Sequence, residues 1–114
     1  MARVILHRRL VDVSERLKRL RSELTVTEEQ VAFLDGEAEE ARLRALVSET
    51  PLADAEARDA VQQADVMTRY RDSLLVQIAR LVAEQDDLLD RMGGTAAEVP
   101  DPGPGPDPDD GGSG

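Results

Sequence analysis

A chain of 114 residues with a net charge of −10 and a single Phe and a single Tyr has room for one domain, and that domain cannot be built around large rings. The lack of Cys excludes a disulfide framework and thiolate metal sites. No apolar run approaches the roughly 18 residues of a membrane span, and Val4-Ile5-Leu6 is shorter than the apolar core of about 7 to 15 residues in a secretory signal, so a cytoplasmic protein without membrane association is expected.

The first predicted element is a helix over about 2–47. From Leu6 to Ser48 an unbroken alternation of four and three steps picks out Leu6, Leu10, Val13, Leu17, Leu20 and Leu24, then Thr27, Val31, Leu34, Ala38, Ala41, Ala45 and Ser48. That spacing puts one residue per turn on a narrow stripe, the seam of a coiled coil. Asp12 with Arg16, Glu15 with Arg19 and Glu40 with Arg44 are spaced to support the outer face, at about 0.2 to 0.5 kcal/mol each. Two features oppose the helix: the β-branched run Thr25-Val26-Thr27, and Asp35-Gly36, where Gly costs about 1 kcal/mol relative to Ala. The seam keeps its phase across both, which predicts one helix, bent at most at Gly36.

Ser48-Glu49-Thr50-Pro51-Leu52 reads as a bend at 48–52. Pro suits the first position of a new helix, Thr50 its N-cap, and Asp54 and Glu56 its positive end. The second helix is expected over about 52–92, stopped by Gly93-Gly94. Its seam runs through Ala53, Ala57, Ala60, Ala64, Met67, Arg71, Leu74, Ile78, Leu81, Gln85, Leu88 and Met92. Both seams are Ala-rich near the bend and Leu-rich away from it, as an antiparallel pair with closely approaching axes requires. The fold class is therefore all-α: a long antiparallel two-helix coiled-coil hairpin over 1–92. Arg71 and Gln85 stand where Leu is expected and are assigned to fixing register. Residues 93–114, rich in Pro, Gly and Asp without hydrophobic period, predict a disordered acidic tail.

The second helix holds more apolar surface than one seam uses. Val61, Leu75, Val82 and Leu89, each one position past a seam residue, form a second stripe. Burying each would contribute about 1.5 to 3 kcal/mol, so a homodimer or a protein partner is expected there. The charge is also uneven: +5 over 1–22, −9 over 23–65, −1 over 66–92 and −5 beyond. Glu49, Asp54, Glu56 and Asp59 gather at the bend, a second candidate partner surface.

Chemistry is not legible. Carboxylates on exposed helix faces lack the pocket that would separate their pKa values. His7 is the lone His, Gly-rich phosphate loops are missing, and neither cofactor nor metal is implied. The basic residues of the first helix lack interleaved aromatics and sit in an acidic chain, which argues against direct nucleic-acid binding.

The acid-tipped bend, with SETPLADAEARDA at 48–60, resembles the hairpins of Gre-type and DksA-type transcription factors, a likeness that implies entry into the secondary channel of bacterial RNA polymerase. It covers the hairpin and its acids only; the globular domain or zinc module of those families has no counterpart here. HRRLVDVSERLKRLRSEL and EARLRALVSETPLADAE are similar to short uncharacterised coiled-coil proteins of high-G+C Gram-positive bacteria, which implies a hairpin and no particular activity. The expected function is a non-enzymatic coiled-coil scaffold or adaptor, with modulation of RNA polymerase as the alternative.

Overall fold

The computed structural model describes residues 2–96; Met1, residues 97–114 and the side chains of 94–96 lie outside the description, and the tail predicted for 93–114 falls largely there. The described chain is two helices, α1 (Ala2–Ser48) and α2 (Pro51–Ala96), joined as an antiparallel hairpin. The described residues divide into two compact units, Arg16–Arg80, which holds the bend, and the described parts of the chain on either side of it, 2–15 with 81–96.

The seams set both units. Every seam position of α1 from Leu6 to Ala45 is buried or half-buried, and only Ser48, at the bend, is exposed. Every seam position of α2 from Ala53 to Met92 is likewise covered. In the bend-containing unit the core is Leu17, Leu20, Val31, Ala38 and Ala41 against Ala57, Ala64 and Leu74. In the other, Val13 and Leu88 are buried. Leu17, Leu74 and Leu88 are the largest side chains removed from water, each contributing about 1.5 to 3 kcal/mol.

The bend takes only Glu49 and Thr50. Glu49 adopts a left-handed backbone with φ of 53°, and its N–H donates to the Ala45 carbonyl at 2.9 Å, closing the last turn of α1. Thr50 then caps α2: its Oγ1 accepts the Ala53 N–H at 3.1 Å and its carbonyl accepts the Asp54 N–H at 3.0 Å.

Gly36 does not interrupt α1, as the unbroken phase of the seam predicts. Two expectations change. α2 continues through Gly93 and Gly94, since glycine lowers helix propensity without forbidding the conformation. Asp12–Arg16, Glu15–Arg19 and Glu40–Arg44 do not close; the i,i+4 pair that does is Asp87–Arg91, at 3.2 Å. Exposed long side chains gain too little from pairing to be held in one geometry.

Candidate interaction surfaces

The two polar seam residues differ in what they bond. Gln85 Nε2 donates to Ser14 Oγ at 3.0 Å, a part-buried bond from α2 to α1. The Arg71 guanidinium bends away from the seam and donates from Nε and Nη2 to Oδ1 of Asp72, at 3.2 and 3.0 Å, on its own helix. Arg71 therefore lays its aliphatic stem on the seam and sends its charge to the rim.

Two further bonds cross between the helices. Arg9 Nε donates to Glu84 Oε2 at 2.9 Å in one unit, and the Tyr70 hydroxyl donates to Glu23 Oε2 in the other. Each joins a residue of α1 to a residue of α2, both of them one position before a seam residue of their own helix. The Glu23 carboxylate holds the Tyr70 pKa above its ordinary value, chiefly through that hydrogen bond, with smaller contributions from desolvation and from the carboxylate charge.

The second stripe of α2 is uneven. Val61 and Val82 are half-buried beside the seam, whereas Leu75 and Leu89 remain 43% and 49% exposed.

At the bend Glu49, Asp54, Glu56 and Asp59 are all exposed. Among the described residues no group of three or more His, Cys, Asp or Glu side chains is placed to hold a metal ion. Large apolar groups are exposed here as well: Val47 at 84%, Leu46 at 72% and Leu52 at 70%. Sequence reading passed over them because they lie off the seam, and short apolar runs beside a bend are ambiguous between core and surface.

A third surface was not anticipated. On the side of the hairpin that carries Tyr70, two adjoining concavities of about 530 and 500 Å³ share Leu34 and Met67 as their floor. Val26 and Phe33 wall them from α1 and Val66 from α2, all more than half exposed, Phe33 at 65%. Val26 and Phe33 are seven residues apart, so they stack on one face; that spacing was the available signal. The opposite side holds a more polar depression of about 500 Å³ that includes Arg42, Arg58, Asp65 and Arg69.

Among the described residues, no helix is long and apolar enough to cross a membrane. Comparison with protein-family models, curated proteins and solved structures gave no match to this chain.

Proposed function

We propose that this chain is a non-enzymatic, cytoplasmic coiled-coil scaffold or adaptor that acts through protein–protein contacts, self-association among them. The observation that carries the reading is the apolar surface left over once the seam is filled: Phe33, Val47 and Leu52 stay largely in water although the seam already has its full complement of side chains. Apolar surface that is not used inside the fold gains free energy only when another molecule covers it. A photo-reactive phenylalanine analogue placed at Phe33, Val47 or Leu75 in cells should cross-link to discrete proteins or to the chain itself, and one at the outward-facing Glu39 should not. Equal labelling at all four positions would remove the basis of the proposal.

The alternative, modulation of RNA polymerase, is supported by the exposure of the four acids at the bend. It requires that polymerase binding be lost when Glu49, Asp54, Glu56 and Asp59 are neutralised together, and it fails if the neutralised chain binds as the native one does.

A further inference from the structure

We infer that the Val26–Phe33–Val66 groove is the seat of a two-fold symmetric, antiparallel dimer, in which Phe33 of each copy packs at the level of Val26 of the other. The inference rests on the reading of the chain as a protein-contact module and specifies the occupant of one surface: a second copy.

Charge selects that occupant. In a chain of net charge −10, two copies approach at least cost where the surface is locally neutral. Only the centre of the groove meets that condition, with an apolar floor of Leu34 and Met67 and the amides of Gln30, Gln62 and Gln63 around it; two acids, Glu29 and Asp59, stand at its edges with no base among the lining residues. An apolar centre with a polar, hydrogen-bonding rim and an exposed aromatic is the composition of a protein interface.

The flanks select the orientation. Towards the bend, the same face carries exposed Glu37 and Glu40; away from the bend it carries exposed Arg16 and Arg19 from α1 and Arg80 from α2. None of these five makes an ion pair among the described residues. A parallel arrangement would set acid against acid and Arg against Arg. A two-fold axis perpendicular to α1, passing between Glu29 and Gln30, sets Phe33 at the level of Val26 of the other copy. One heptad further out the same axis sets Glu40 at the level of Arg19 of the other copy, twice by symmetry. From Arg19 to Glu40 the face is about 30 Å long. At two helix diameters wide, about 20 Å, it offers roughly 600 Å² per copy, the lower end of a specific interface.

Sedimentation equilibrium of the purified full chain tests this. The native chain is expected to dimerise reversibly, and Phe33→Glu to be monomeric with unchanged helical circular dichroism. Glu40→Arg and Arg19→Glu should each weaken dimerisation about tenfold, since each sets like charges together twice, and the double variant should return to within about threefold of native. Because the chain lacks Cys, Gln30→Cys, close to the axis, should form an intermolecular disulfide under mild oxidation. Ser22→Cys, whose two copies would lie about 22 Å apart along the helix, should not. A monomeric native chain, a dimer untouched by Phe33→Glu, or a dimer abolished by Leu75→Glu instead would overturn the assignment of the groove. Failure of the double charge variant to recover would overturn the antiparallel two-fold. A monomeric chain that still cross-links other proteins at Phe33 in cells would sink the dimer and leave the adaptor reading standing.

Discussion

Glu49 is the residue whose backbone the fold forces furthest from its preference. A non-glycine side chain at φ of 53° is set against its own carbonyl, at a cost of about 1 kcal/mol. The hydrogen bond from its N–H to the Ala45 carbonyl holds it there. Glu49→Gly relieves the contact and is expected to stabilise the hairpin by about 0.5 to 1 kcal/mol, read as a higher urea midpoint with unchanged slope; a lower midpoint would show that the Glu side chain contributes to the bend. The cap on α2 was legible in Thr50-Pro51, but the left-handed residue before it was not. The recognisable sign of such a position is glycine, and this bend uses none.

Tyr70 is a second residue whose surroundings predict a measurement. As the only tyrosine, it gives an uncontested ultraviolet signal. Its hydrogen bond to Glu23 raises its pKa in the folded chain, so the tyrosinate absorbance should appear above about pH 10, and Glu23→Gln should move the titration back down. With the folded value raised above the unfolded one, the bond supports the fold below the unfolded pKa and is lost as pH rises through the folded value. Titration of native and Glu23→Gln chains at the same pH would dismiss the bond.

At the scale of the element, periodicity carried nearly all of the information. The four-and-three alternation anticipated the covered face of both helices because a coiled-coil seam is set by spacing alone, whichever aliphatic residue fills each place. Thr27 shows this: it is polar, yet it is only 3% exposed because its phase places it there. The candidate surfaces were less legible. Val26, Phe33 and Val66 acquire meaning only when two helices are laid side by side, and a one-dimensional period does not state which off-seam residues of α1 face which of α2. Likewise the stripe at Val61, Leu75, Val82 and Leu89 was visible as a pattern, but its division into two half-buried and two exposed residues depends on how closely each turn approaches the other helix. Gly36 isolates propensity from packing. A Cβ built there meets nothing within 4 Å, so Gly36→Ala adds no contact and should stabilise α1 by about 1 kcal/mol, seen as a higher thermal midpoint. A lower midpoint would mean that the glycine serves a bend in solution.

At the scale of the whole molecule, charge is the dominant unbalanced quantity. Acids outnumber Lys and Arg by 24 to 14, and the segment 23–65, which supplies both sides of the bend, holds −9 of the total. Among the described residues few charges are locally compensated: the three predicted pairs along α1 stay open, and Arg71 spends its charge on the adjacent Asp72. Arg9–Glu84 crosses between the helices, but with the Arg side chain 64% exposed it is worth at most about 1 kcal/mol in water. The remaining acids repel one another through solvent, over distances comparable to the Debye length, which shrinks from about 30 Å at 0.01 M salt to about 10 Å at 0.1 M. Salt should therefore remove more repulsion than attraction. The urea midpoint of the chain is expected to rise as sodium chloride is taken from about 0.01 to about 0.3 M. Neutralising Glu49, Asp54, Glu56 and Asp59 together should raise the low-salt midpoint and flatten that dependence. If stability instead falls with salt, cross-helix pairs such as Arg9–Glu84 outweigh the net charge, and the acids around the bend would have to be treated as stabilising partners of the fold rather than as a cost it carries.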